Sequence, residues 1–190
     1  MAVSANDTKQ TIMNVARKMV QGSGYNALSF RDIAMAVGIK AASVHYYFPT
    51  KGDLGATLAR RYTEDMAAHL DALLVRYDDE ASLLRAYTKI FRATLLNDNR
   101  MCLYGIMAAE HRDLPIEVRA EVDKFCDVNV NWLVKVLSTK KVRTDKTKLK
   151  QRAMAILAAI EGAQLVSRGR GDVAVYDETI AAYRAAGFLP

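Results

Sequence analysis

Proline, cysteine and long apolar runs are all scarce in this chain, and each scarcity removes a class of answers. Three prolines and ten glycines in 190 residues impose few breaks. Alternating β-branched patterns are almost absent, which argues against a sandwich or barrel. Cys102 and Cys126, the two cysteines, suit neither a disulfide framework nor a zinc-ligand spacing and point to a reducing, cytoplasmic setting. His45, His69 and His111 have no metal-ligand spacing with Asp, Glu or Cys. No Gly-rich phosphate loop or nucleophile motif occurs. No metal, cofactor or catalytic residue is therefore expected, and an enzyme is not. The most apolar stretch, residues 153–166, is interrupted by Glu161 and Gln164 and falls short of the ~20 residues that span a membrane. The polar first ten residues lack the apolar segment of a signal peptide.

What the chain does contain is helix formers: Ala, Leu, Met, Lys, Arg and Glu dominate, within a hydrophobic fraction of 51%. The expected class is all-α. The net charge is +6, and residues 1–52 alone hold +4, from Lys9, Arg17, Lys18, Arg31, Lys40 and Lys51 against Asp7 and Asp32. That asymmetry favours a polyanionic partner for the N-terminal quarter.

The stretch from residue 29 to 51 reads as two short helices joined by a tight turn. Ser29 can cap the first, with Asp32 three residues on. Ile33, Ala34 and Val37 share a face, and Gly38 permits the turn. The second helix covers about residues 41–47. Val44 and Phe48 are its buried anchors, which leaves Lys40, Ser43, His45 and Tyr46 to point outward. Two helices with such a turn describe a helix-turn-helix, whose second helix enters the DNA major groove. Upstream, Ile12, Val15, Ala16, Met19 and Val20 make an amphipathic stripe over residues 8–21. Downstream, a long helix over residues 50–77 carries Leu54, Leu58, Tyr62, Met66 and Leu70, with Thr50 and Asp53 as its cap. No Gly, Ser or Pro linker separates it from the helix-turn-helix, which predicts mechanical coupling. Asp78-Asp79 precedes the next helix, and residues 97–99 are a turn signal. A short helix over residues 101–112 and a helix opened by Pro115 follow. The latter places Val118, Val122, Phe125, Asn129, Trp132 and Val136 on one face. A basic polar connection over residues 139–150, a small-residue helix over 150–167 and a last helix ending near residue 186 complete nine.

Ala16, Gly24, Leu28-Ser29, Asp32-Ile33-Ala34, Gly38-Ile39, Ser43-Val44, Tyr46-Tyr47-Phe48, Lys51 and Leu54, at these spacings, resemble the TetR family of bacterial transcriptional repressors. Residues 12–58 carry the resemblance most strongly, and residues 161–172 are also similar to the family's eighth helix and the turn after it. The resemblance implies a nine-helix, two-domain homodimer: residues 1–50 as a helix-turn-helix DNA-binding domain, residues 51–190 as a helical ligand-binding and dimerisation domain. It also implies double-stranded operator DNA, near-palindromic, and a small-molecule effector as partners, with no membrane.

Residue by residue, the resemblance assigns DNA contact to Ser29 and Arg31 at the start of one helix, to Lys40, Ala41, Ala42, Ser43, His45, Tyr46 and Tyr47 of the recognition helix, and to Lys51. The family often has Tyr where this chain has His45, and two alanines at the groove end offer thymine methyl contacts but no bidentate bond. Candidate effector-site residues come from the central helices: Tyr62 and Met66, Tyr87 and Phe91, Cys102, Tyr104, Met107 and His111, then Phe125, Asn129 and Trp132. Asn129 is the most informative, because an amide on an apolar stripe needs partners. Ala155, Ala158, Ala159 and Gly162, with Leu165, Val166, Ile180 and Tyr183 around them, are the candidate two-fold interface. One alternative is a redox or electrophile sensor in which Arg100 activates Cys102. Another is a ligand carrier or enzyme with a vestigial N-terminal domain.

Overall fold

The computed structural model describes residues 5–138 and 145–190. Among these it is all-α. Nine α-helices follow in order: α1 Ala5–Ser23, α2 Phe30–Val37, α3 Ala41–Tyr47, α4 Lys51–Arg76, α5 Glu80–Leu96, α6 Leu103–Ala109, α7 Ile116–Leu137, α8 Lys146–Arg170 and α9 Val173–Ala185. A single 3₁₀ turn, His111–Asp113, lies between α6 and α7.

Local chemistry sets most of the ends. Ser29 Oγ accepts the Asp32 N–H and caps α2. Gly38 ends it at φ 76°, in the left-handed region, where its N–H and that of Ile39 reach the Ala34 carbonyl. Thr50 and Asp53 form a reciprocal capping box at α4: Asp53 N–H donates to Thr50 Oγ1 at 3.0 Å, and Thr50 N–H donates to Asp53 Oδ2 at 3.0 Å. Asp79 caps α5 and Asp172 caps α9.

Two ends differ from the sequence reading. The short helix expected over residues 101–112 is only Leu103–Ala109. Its N-terminal side is held open because the Cys102 N–H donates to the buried Gln164 side chain at 2.9 Å, and its C-terminal side tightens into the 3₁₀ turn. The basic stretch taken as a connection up to residue 150 is helical from Lys146, because the Asp145 side chain accepts the Thr147 N–H and starts α8 there. The earlier part of that connection, residues 139–144, lies outside the described residues.

By backbone proximity the chain forms two compact units, Met1–Tyr62 with Leu103–Phe125, and Thr63–Cys102 with Cys126–Pro190. α4 and α7 each contribute residues to both. In the first unit α1 packs on α2 and α6, and α2 packs on α3. Ile12, Ala16, Val20, Leu28, Ile33, Val44, Phe48, Leu54 and Leu58 are buried, and so is Met13; Val15 and Met19 are half-buried. The α1–α2 connection is fastened to the end of α6: the Tyr25 N–H donates to Glu110 Oε2, and Asn26 Nδ2 donates to Asp113 Oδ2 at 3.0 Å. Gly55 on α4 is a close approach. A Cβ there would lie 2.5 Å from the Tyr25 ring and 3.1 Å from Val118. In the second unit α5, α8 and α9 pack mutually, around Leu83, Leu84, Ile156, Ile160, Tyr176 and Ile180.

Candidate nucleic-acid interface and effector site

The recognition helix α3 has only seven residues, too few to hold itself together in water. Val44 and Phe48 are its anchors, both buried, and Lys9 of α1 lies over the Phe48 ring at 5.5 Å. With that face fixed, the opposite one is committed outward. Lys40, Ala41, Ala42, His45 and Tyr46 are exposed, Tyr46 by 81%, and Ser43 and Tyr47 are half-buried. Tyr46 meets Tyr47 edge-on at 5.2 Å. His45 is steadied from two sides, by the Phe30 ring at 4.7 Å and by the Pro49 carbonyl 3.4 Å from Nδ1. If Nδ1 donates to that carbonyl, Nε2 is the ring nitrogen left for an external partner. Arg31 is exposed on α2, while Ser29 is half-buried and acts as the cap. The Lys51 ammonium donates to the Asn26 carbonyl at 3.1 Å and lies 4.8 Å from the Tyr25 ring centre. It keeps two further donors for a phosphate. Burial, then the Glu117 charge, pushes the Tyr25 phenol up to about 12, so it is a neutral part of this support. All ten residues assigned to DNA thus belong to one unit, and they lie on α2, on α3 and at its flanks.

The eleven candidate effector residues divide between the units. Tyr62, Tyr104, Met107 and Phe125 belong to the first. Phe125 is sandwiched between Tyr62 at 5.3 Å and Tyr104 at 5.0 Å, with rings within about 21° of parallel, and the Arg17 guanidinium caps the far face of the stack at 4.7 Å from the Tyr62 centre. Beside the stack lies a crevice of about 10 Å³, lined also by Ala59, Leu103, Glu121 and Val122. That is below the range of sites for drug-sized ligands. Its one charged group is matched on one oxygen: Arg60 and Lys124 both donate to Glu121 Oε1 at 3.0 Å, and Oε2 is buried without a hydrogen-bond partner among the described residues. Burial pushes that carboxyl up, but the bonds from Lys124 and Arg60 outweigh it and hold it below its usual range. His111 is exposed on the 3₁₀ turn and does not line the crevice. The turn that follows α6 directs it to solvent, away from these residues.

Met66, Tyr87, Phe91, Cys102, Asn129 and Trp132 belong to the second unit, and all are buried. Here polar groups are interleaved with rings. Tyr87 is stacked on Trp132 at 5.2 Å and meets Phe91 edge-on at 5.2 Å. The Tyr87 hydroxyl donates to Asn129 Oδ1 at 2.9 Å, and Trp132 Nε1 donates to the Leu70 carbonyl at 3.0 Å. Two polar residues that sequence reasoning passed over as interruptions of an apolar run complete this region. Gln164 accepts from the Cys102 N–H and donates to the Phe91 carbonyl at 2.8 Å and to Thr94. Glu161 has both carboxylate oxygens buried.

Cys102 does not have the environment of a reactive thiol. It is 1% exposed, and the Glu161 carboxyl is beside it, a neighbour that opposes a thiolate. The Arg100 guanidinium expected to activate it is engaged by Asn97 at 2.9 Å and Asp98 at 3.0 Å.

Of the interface candidates, Ala155, Ala158, Leu165 and Val166 are exposed, the last two by 58% and 54%, and Ala159, Gly162 and Tyr183 are half-buried. Those on α8, Ala155, Ala158, Ala159, Gly162, Leu165 and Val166, make an apolar stripe along it with Met154, while Tyr183 lies on α9. Ile180 is corrected: it is 3% exposed within the chain itself, because α9 turns that face onto α5 and α8, and it leaves no surface for a partner. Among the described residues no cluster suits a metal ion, and no helix is long and apolar enough to cross a membrane.

Comparison with known proteins agrees with this geometry. The family model for bacterial regulatory proteins of the tetR family matches residues 12–56. A TetR transcriptional regulator from Legionella pneumophila is 32% identical with a TM-score of 0.88, covering 98% of this chain and 99% of that one. A TetR-family regulator from Agrobacterium tumefaciens is 28% identical with a TM-score of 0.86, over 93% and 95%. The regulator FadR from Bacillus subtilis, solved in complex with stearoyl-CoA, is 16% identical with a TM-score of 0.71, over 90% and 95%, and shares the fold. No curated protein matches significantly. A buried-anchor recognition helix behind a left-handed glycine turn, the family's sequence pattern over that region, and a relative of this identity along nearly the whole chain together establish that the protein belongs to the TetR family of bacterial transcriptional regulators.

Proposed function

We propose that the protein is a ligand-responsive repressor that binds a palindromic operator as a homodimer and leaves it when a small molecule occupies the C-terminal domain. Residues 1–50 are the DNA-binding part, and residues 51–190 bind the effector and the second copy. The observation that supports this best is α3 itself, which buries Val44 and Phe48 and holds Tyr46, His45 and two alanines outward. One such helix has few groups for reading bases, so specificity comes from two copies about 34–36 Å apart on the duplex. The exposed α8 stripe, from Met154 through Ala158 to Leu165, is the surface we assign to the isologous contact. The route from effector to operator is α4, one continuous helix with residues in both units.

The test is binding of the full chain to duplexes drawn from its own upstream region, followed by fluorescence anisotropy. Affinity should fall linearly in log–log against salt, and Tyr46→Ala with His45→Ala should weaken it at least tenfold without lowering the melting temperature. Leu165→Glu should convert dimer to monomer in sedimentation. A compound library screened for release of the labelled duplex tests the effector. Salt-insensitive binding, or none to any duplex, would overturn the reading. Cys102→Ser should leave operator binding and its sensitivity to oxidants as in the wild type, since the thiol is buried beside the Glu161 carboxyl.

A further inference from the structure

Gln164 and Glu161 stand three residues apart on α8, and only one of them is matched. Every polar atom of the Gln164 side chain has a partner on α5 or just before α6. Both oxygens of Glu161 are buried, and among the described residues the donor that reaches the carboxyl is the Cys102 thiol, short of good hydrogen-bond geometry. The groups close enough to interact with it electrostatically are the Cys102 thiol, the Tyr87 phenol of α5 and the Tyr176 phenol of α9. Among the described residues no basic side chain contributes to its titration. Burial pushes the carboxyl up to about 7, and the Cys102 thiol only partly offsets that. A carboxyl placed this way costs stability unless something meets it, and such groups gather at functional sites.

Its surroundings define the missing complement. Tyr87 presents its ring to Trp132 and Phe91, and its hydroxyl to the Asn129 oxygen. Ring faces and oxygen acceptors both attract positive charge. We propose that Glu161 anchors the effector site of the second unit and that the effector group it meets is a protonated or quaternary amine carried on an apolar body. The proposal rests on the reading that residues 51–190 bind an effector. A fixed cation favours the ionised carboxyl, so below neutral pH its binding releases the Glu161 proton to solvent. Affinity then rises about tenfold per pH unit up to about 7 and levels above it. The cluster is packed closed in this structure, with Tyr87 and Trp132 buried, so entry requires one of these rings to move.

Trp132 is the chain's single tryptophan, and its emission reports that movement. The full-length protein is titrated at pH 6 and pH 8 with benzyltrimethylammonium, with its uncharged isostere neopentylbenzene, and with phenylacetate. We expect saturable change with the cation in the millimolar range, about tenfold tighter at pH 8, and at least tenfold weaker binding of the isostere and the anion. Glu161→Gln should lose at least tenfold for the cation and all of the pH dependence; the isostere and pH arms use wild type alone and hold even if that variant misfolds. Equal binding of the isostere, pH-independent binding of the cation, or no response to the cation overturns the proposal. If phenylacetate or neopentylbenzene binds and weakens operator affinity, the charge assignment fails and the effector reading survives. If none of the three binds, the proposal fails, and the effector reading is decided separately by the library screen.

Discussion

Each unit holds a cluster of three aromatic rings at about 5 Å spacing, and the two clusters are built to different ends. In the first, Tyr62, Phe125 and Tyr104 lie parallel under the Arg17 guanidinium, and the nearby Glu121 is matched by Arg60 and Lys124. In the second, Tyr87, Trp132 and Phe91 share their space with Asn129. The buried Glu161 carboxyl, with no cation among the described residues contributing to its titration, is close enough to Tyr87 to interact with it electrostatically. Aromatic content does not separate a binding site from a strut. The charges among the rings do: Glu121 has two cations beside it, and none among the described residues contributes at Glu161.

The largest effects should leave the two clusters alike. Phe125→Ala and Trp132→Ala each remove a buried ring and should each cost about 3–5 kcal/mol in urea unfolding. A loss below about 1 kcal/mol for either would mean that its cluster is not a packed core. The next effect separates them. Glu161 holds its proton to about pH 7 when folded and to about 4.5 when unfolded, so the folded state binds more protons between those values. Its contribution is fully present below pH 4.5 and is lost as pH rises through 7, a swing of about 3 kcal/mol. Glu161→Gln should therefore gain on wild type by about that amount between pH 4.5 and 8, and parallel pH curves would break the contrast.

A smaller effect isolates the buried amide. Tyr87→Phe takes a donor from Asn129 and should cost about 1–3 kcal/mol, while the double variant with Asn129→Leu should recover most of it. Additive losses would show that the two side chains do not act as a pair. The smallest concerns the support of α3. Ser29→Ala removes the α2 cap and should cost about 1 kcal/mol, seen as a lower melting temperature of the free protein.

What was legible in the sequence was local. Ser29 with Asp32, Thr50 with Asp53, and Gly38 are decided by a few neighbouring residues, and each does what its spacing implies. The recognition helix was read to its end residues for the same reason. What was not legible depends on distant partners. α6 begins late because Gln164, 62 residues away, takes the Cys102 N–H. Ile180 has the apolar character of an interface residue, and only the packing of α9 on α5 and α8 shows that it is spent inside the chain. His111 was grouped with α6 by proximity in sequence, and the 3₁₀ turn removes it. Glu161 has a sequence signal, a lone acid in the most apolar run, but nothing local tells that its carboxyl is buried beside Tyr87 and Cys102.

Gly55 carries a consequence for engineering. Its α-carbon hydrogen is all that the Tyr25 ring and Val118 leave room for, so the position has an alphabet of one letter. Alanine there would act as a wedge under the loop that carries α2, in a residue that neither faces DNA nor lines the aromatic clusters. A library that spares the recognition helix and the central rings but randomises position 55 should thus be full of clones that have lost regulation while keeping every contacting side chain intact.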